Sequence, residues 1–192
     1  MKKIFIALAL AAATFVSCGK FEVEKTATVN LSGTWMCTVY YNDGTDWVAD
    51  AGAIFSTYNT AANVPTEIWL DDGGSASDSR YWETKLKLDC NNSARTFGKE
   101  GKEYLDIYND VGQMVWGGKI TPKGAVAPGS GSTVDKIEFY IAFADDATPY
   151  ETAFYVAGYR LTGYPEDNDF FVEDWTLPAI VNAPAVTEAL EP

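Results

Sequence analysis

The side chains able to do chemistry in this 192-residue sequence are carboxylates, hydroxyls, amines and three cysteines, because it contains no histidine. Without imidazole there is no Ser-His-Asp or Cys-His nucleophile system, no HExxH metal site and no His-ligated haem. A hydrolase here would have to pair serine with lysine, or set two carboxylates across a cleft. The sequence has no G-x-S-x-G elbow, and Gly129-Ser130-Gly131-Ser132 lies in a loop-like stretch with no strand-to-helix context. The chain carries 27 acidic and 14 basic side chains, for a net charge of −13. Asp71, Asp72, Asp145, Asp146, Glu166, Asp167 and Asp169 cluster in turn-like places, where solvation accounts for them. The segments 71–78 and 165–169 offer oxygens of the kind calcium takes, but neither has EF-hand spacing. The expectation is therefore no catalytic residue, no metal and no cofactor. The acid excess also argues against nucleic acid and against docking on anionic headgroups through charge.

The cysteines divide into one with an address and two in strand-like runs. Lys2 and Lys3 precede an apolar run from Ile4 to Val16 that is too short to span a bilayer. Ser17-Cys18 follows directly. A small residue before a lone cysteine at the end of such a run resembles the bacterial lipobox, which implies cleavage before Cys18 and acylation of Cys18. The alternative is an ordinary signal peptide with an incidental cysteine. Several acyl chains anchor far more firmly than one, so the membrane is the expected partner of the mature N-terminus. Lys20-Phe21-Glu22-Val23-Glu24 resembles the acidic surface-export signal of Bacteroidetes lipoproteins; a plain solvated tether is the other reading. The expected location is the cell envelope, on an outer-membrane lipoprotein. Cys37 and Cys90 are candidates for a disulfide in an oxidising compartment, with two buried free thiols as the alternative.

The elements that must position these residues are strands. Period-2 alternation recurs from Leu31 onward, punctuated by turn residues, and no long 3.6-period apolar face appears before Trp175. Strands are expected over 31–41, 53–58, 66–70, 80–90, 95–97, 103–108, 113–121, 134–143 and 150–162. Asp43-Gly44 reads as a hairpin turn. Pro122 to Ser132 reads as a loop, because proline is excluded from central strands. Trp82, Thr84, Leu86, Leu88 and Cys90 share one face; Ile137, Phe139, Ile141 and Phe143 share another. Eight to ten such strands predict an all-β, antiparallel architecture, a sandwich or an up-and-down barrel, and a barrel interior can hold one small ligand or be filled by side chains.

Gly33-Thr34-Trp35 at the start of the first strand resembles the lipocalin (calycin) signature, in which the tryptophan plugs the closed end of the barrel. That resemblance implies an arginine packed across the ring, and Arg160 is the candidate. A wider resemblance rests on the 59–63, 67–72, 117–120 and 132–137 segments, Asp145-Asp146, and Gly158-Tyr159-Arg160-Leu161-Thr162-Gly163-Tyr164-Pro165-Glu166-Asp167. Together and in this order they resemble the Bacteroidetes lipoprotein family described as lipid-binding putative hydrolases. Leu161 stands where a second arginine is expected, which weakens a paired-arginine anion site.

The resemblance implies a calycin-like barrel. The resulting organisation is a signal segment at 1–17, a lipidated tether at 18–30, a barrel at 31–177 and a tail at 178–192 without a core-forming pattern. The aromatics Trp69, Trp82, Trp116, Phe139, Phe143 and Tyr155 are the expected lining of a cavity for a lipid or other apolar small molecule. The competing reading is a filled barrel that presents Trp47, Tyr58 or Tyr81 to glycans or proteins. No feature of the sequence specifies an oligomer.

Overall fold

The alternating segments form nine antiparallel strands: β1 (Gly33–Asn42), β2 (Trp47–Asn59), β3 (Glu67–Asp71), β4 (Lys85–Asn91), β5 (Thr96–Phe97), β6 (Glu103–Leu105), β7 (Gly112–Val126), β8 (Thr133–Phe143) and β9 (Phe154–Arg160). A single 3-10 turn follows at Pro165–Asp167. This computed structural model describes residues 25–72, 81–167, 171–172 and 174–190. The signal segment, Cys18, most of the tether, Asp78 and Asp169 lie outside those residues. The strands run in the order β5-β4-β3-β2-β1-β9-β8-β7-β6, and a further β5–β7 pairing closes them into a ring. β6 pairs with β7 beside that junction, and a bridge from Leu86 to Asp106 ties it toward β4.

Closure is local and tight. Phe97 of β5 pairs with Gly118 of β7, and a Cβ on Gly118 would collide with the Phe97 carbonyl oxygen. Gly117 beside it takes a positive φ of 63°, where the β7–β8 register shifts. The extra residue of this bulge keeps both Val115 and Ile120 facing inward. β7 then continues to Val126, beyond the expected end at Thr121. A second irregularity between Thr121 and Ala125 takes Pro122 out of the pairing, which is how a proline is tolerated there. β2 likewise begins earlier than expected, at Trp47, because it pairs with all of β1 through a bulge near Val39. β4 begins later, at Lys85, because residues 81–84 turn across the barrel mouth instead.

The interior is stacked in layers. At one end Trp35 is fully buried and donates its indole N–H to Thr57 Oγ1 at 2.9 Å. The Thr57 hydroxyl in turn donates to the carbonyl of Leu31. Arg160, paired with Trp35 across β1 and β9, places its guanidinium 5.0 Å from the centre of the indole. It also donates to the Ser32 carbonyl at 2.8 Å and lies 3.5 Å from Asp135. Gly33 makes room for both: its Cβ would sit 2.9 Å from the Trp35 ring and 3.3 Å from Arg160 Cζ. Phe55, Phe97 and Phe139 fill the middle layer, with Phe55 edge-on to Phe139 at 5.3 Å. The opposite end stays open.

The tail is part of the packing. Tyr40, Trp47, Met114, Trp116, Ala142, Tyr155 and Ala157 form a second cluster on the outer face of β1, β9, β8 and β7, and Trp175, Leu177, Ile180, Val181, Ala183 and Val186 cover it. The segment is pinned by Thr38 Oγ1 to the Val172 carbonyl (2.8 Å), Trp47 Nε1 to the Pro178 carbonyl (3.1 Å) and Thr187 N to the Gly101 carbonyl (2.7 Å). β1 is consequently buried on both faces from Trp35 to Tyr40.

Arg160→Ala should lower stability by about 1–3 kcal/mol through lost ring contact and stem packing. Urea denaturation followed by tryptophan fluorescence measures it. An unchanged midpoint would show that the closed end does not need the guanidinium.

Candidate functional site

The open end of the barrel holds a cavity of about 390 Å³, lined by Trp82, Asp106, Asn109, Val111, Gln113, Phe143, Asp145, Asp146 and Phe154. Its apolar side is a triangle of rings. Trp82 lies 5.0 Å from Phe143 and 5.2 Å from Phe154, and the two phenylalanines are 5.9 Å apart. Phe143 and Phe154 end β8 and begin β9, on the inward face that alternation gives them. Trp82 belongs to no strand and is held from behind. The buried carboxylate of Asp72 accepts the backbone N–H of Trp82 at 2.8 Å and those of Tyr81 and Thr84. Burial pushes the Asp72 pKa up, and the surrounding backbone amides offset only part of that.

The polar side is a hydrogen-bonded wall. Asp106 is fully buried and accepts four donors: the amides of Lys85 (2.9 Å) and Tyr108 (3.0 Å), Asn109 Nδ2 (3.0 Å) and Gln113 Nε2 (3.1 Å). Gln113 accepts the Thr84 hydroxyl at 2.7 Å. A carboxylate offers about four lone-pair sites, so the four donors occupy Asp106 as a structural acceptor. Asp145 is exposed at the rim, and Asp146 accepts the Thr152 amide at 3.2 Å.

The six expected lining residues separate by face. Trp82 and Phe143 line the cavity, and Phe139 lies one layer below as filled core. Trp69, Trp116 and Tyr155 point outward, because their strand neighbours Ile68, Leu70, Val115 and Val156 take the inward positions. Trp116 and Tyr155 are covered by the C-terminal segment. Trp69 joins Tyr58 and Tyr108 around Lys85 Nζ, which lies 5.3–5.7 Å from all three rings and 3.4 Å from Asp71. The rings named for a glycan surface are also engaged. Trp47 is buried, Tyr58 belongs to the Lys85 cluster, and Tyr81 packs edge-on against Trp82 while its hydroxyl bonds Asp50. Asp71, Asp72 and Asp167 are buried side chains with specific partners, which corrects their reading as solvated turn acids. The signal for Asp72 was the bare Asp71-Asp72 pair: alternation sends one carboxylate outward to Tyr58 and Lys85 and the other inward to Trp82.

Both strand cysteines are free thiols, so the candidate disulfide is not formed. Cys37 lies on β1 and Cys90 on β4, with β2 and β3 between them. Burial raises the Cys37 pKa far above the ordinary range. Burial, with Asp89 and Glu67 nearby, pushes Cys90 up to about 11, so neither is an activated nucleophile.

Residues 20–165, which contain all nine strands and every residue of the cavity, match the family described as lipid-binding putative hydrolases. The chain belongs to that family. No curated protein matches it. In this family member the covering segment after Asp167 lies beyond the matched region.

The hydrolase half of that description turns attention to Ser130. Its hydroxyl donates to Asp167 Oδ2 at 2.7 Å, while the amides of Gly129 and Ser130 donate to Asp167 Oδ1. Thr162 adds a further hydroxyl. Burial of Asp167 works to raise its pKa, but these hydrogen bonds outweigh it and hold the carboxyl below its ordinary 3.8. A carboxylate so acidic is a poor general base at neutral pH. The arrangement instead clips the β7–β8 loop to the 3-10 turn, at the closed end. Among the described residues no group of three His, Cys, Asp or Glu side chains converges to hold a metal ion.

A carboxyl whose pKa is lower in the folded state stabilises the fold above its unfolded value and loses that contribution as pH falls. Asp167→Asn should therefore be less stable than the parent at neutral pH. The gap should narrow below pH 3.8 and close through the lower folded-state value. Denaturant midpoints across this range measure it; a gap independent of pH would remove Asp167 from the account.

Proposed function

We propose that this protein is a membrane-anchored lipoprotein whose barrel binds the apolar part of a small amphiphile in the cup at its open end, without catalysis. The observation that carries the reading is the ring triangle of Trp82, Phe143 and Phe154 facing a cavity of about 390 Å³. That volume sits near the low end of the roughly 300–1,000 Å³ range of ligand pockets. Below it the interior is closed by Phe55, Phe97, Phe139 and Trp35. The cup therefore suits one short chain or one ring system, not a two-chain lipid swallowed whole. The family description supports a lipid-type ligand. The binding reading is favoured over hydrolysis because Asp106 spends its lone pairs on the wall, and Ser130 faces a carboxylate at the far end.

The anchor rests on Lys2-Lys3, the apolar run to Val16, and Ser17-Cys18. It implies a side of attachment. Leu31, Thr28 and Trp35 are buried together at the closed end, and Asn30 is held there by Asn92 and Arg95. The chain between Cys18 and this end spans at most roughly 3.5 Å per residue. A lipid on Cys18 would thus join the barrel to the membrane from its closed-end side, by a tether of up to about 40 Å.

Calorimetric titration with octanol, below its solubility limit, tests the cup. Phe143→Ala should weaken binding by about 1–2 kcal/mol through lost apolar contact, and Trp82→Ala likewise. Equal affinity in both variants and the parent would place the ligand elsewhere. For the anchor, Cys18→Ala should move the expressed protein from the membrane fraction to the soluble fraction. Retention in the membrane fraction would contradict lipidation at that residue.

A further inference from the structure

We propose that the cup selects amphiphiles with a cationic head, an ammonium group carried on a short apolar chain. The inference rests on the cup being the ligand site, and it adds the sign of charge the ligand bears. Two kinds of group meet at the cavity. Trp82, Phe143 and Phe154 present π surfaces, which attract cations. Asp106, Asp145 and Asp146 set three carboxylates around the same space. Among the described residues the lining contains no lysine or arginine, and none forms an ion pair with these three acids.

The alternation of β4 produces this imbalance. Lys85 begins the strand beside the cup, and its backbone amide donates to Asp106. Its side chain nevertheless points through the other face of the wall, where Nζ meets Asp71, Tyr58, Trp69 and Tyr108. Among the described residues, the cation that begins β4 is thus turned away from the mouth. The same outer cluster shows how this chain holds an ammonium: ring faces at 5.3–5.7 Å and one carboxylate at 3.4 Å. The cup assembles the same partners with no lysine of its own.

The two classes of acid differ in role. Asp106, saturated by four donors, contributes charge without accepting a further hydrogen bond. Asp145 and Asp146 stand at the rim on the loop between β8 and β9, where an ammonium head would lie once its chain rests on the rings. A carboxylate head in that position meets like charge, so fatty acids are disfavoured.

The test compares octyltrimethylammonium, octanol and octanoate on the full-length protein, each below its micelle concentration or solubility limit, by calorimetry at low salt. The ammonium should bind roughly tenfold more tightly than octanol, through the rim carboxylates together with the ring surfaces, and octanoate should bind most weakly. Added salt should narrow the spread. The Asp145→Asn/Asp146→Asn double variant should shrink the ammonium's advantage over octanol several-fold, leaving the part supplied by the rings and Asp106. Equal binding of the three probes, tightest binding of octanoate, or an ammonium preference undiminished in the double variant would overturn the proposal while leaving the cup as an apolar site. Failure of all three probes to bind would overturn both.

Discussion

The closure of β5 on β7 at Phe97 and Gly118 sets the circumference of the ring, and the circumference sets what the interior can hold. A barrel of about eight strands has an interior just wide enough for side chains to fill. Phe55, Phe97 and Phe139 do fill it at mid-height, and Trp35 closes the end below. Among the described residues, the barrel interior leaves space where the strands end and the rings splay apart at Trp82, Phe143 and Phe154. The location of the cup is thus a consequence of ring size and side-chain volume. Two glycines make this possible. Gly118 lets β5 approach β7, and Gly33 lets the Trp35 ring and the Arg160 guanidinium stack over the first strand.

Much of this was legible in the residues. The alternation of Leu86 and Leu88, or of Ile137, Phe139, Ile141 and Phe143, identifies inward faces directly, since a side-chain period of two leaves no other arrangement. Gly33, Trp35 and Arg160 were recognisable from a resemblance, and the three lie against one another. What alternation could not supply was the state of the outer face. Trp116 and Tyr155 are large rings on strands, so they read as cavity lining, yet they face outward and are covered by residues 174–186. That covering segment is irregular and proline-containing, with no period to betray its packing. The Thr38 hydroxyl and the Trp47 indole N–H donate to the carbonyls of Val172 and Pro178, and scattered apolar contacts do the rest. The buried Asp72, Asp106 and Asp167 were equally hidden. A carboxylate in a turn looks the same in sequence whether water or backbone amides solvate it.

Those three acids also change the meaning of the missing histidine. In the sequence its absence removes the common nucleophile systems. Among the described residues, the buried carboxylates are occupied as acceptors: Asp71 meets Tyr58 and Lys85, Asp72 holds Trp82, Asp106 builds the wall and Asp167 clips a loop. Acid chemistry in this chain is spent on positioning, and the cup gains its negative character as a by-product of that architecture. Membership in a family described as lipid-binding putative hydrolases is therefore read more readily through its first term than its second.

The most direct test of the central claim uses the indole N–H signals of the six tryptophans in a heteronuclear NMR spectrum recorded with and without an octyl-chain amphiphile. Trp82 alone lines the cup; Trp35 is sealed at the closed end, and Trp69, Trp116 and Trp175 belong to the outer wall. Saturating ligand should shift the Trp82 signal strongly and leave those of Trp35, Trp116 and Trp175 in place. A spectrum in which Trp116 or Trp175 shifts while Trp82 does not would put the ligand beneath the C-terminal segment and contradict the account.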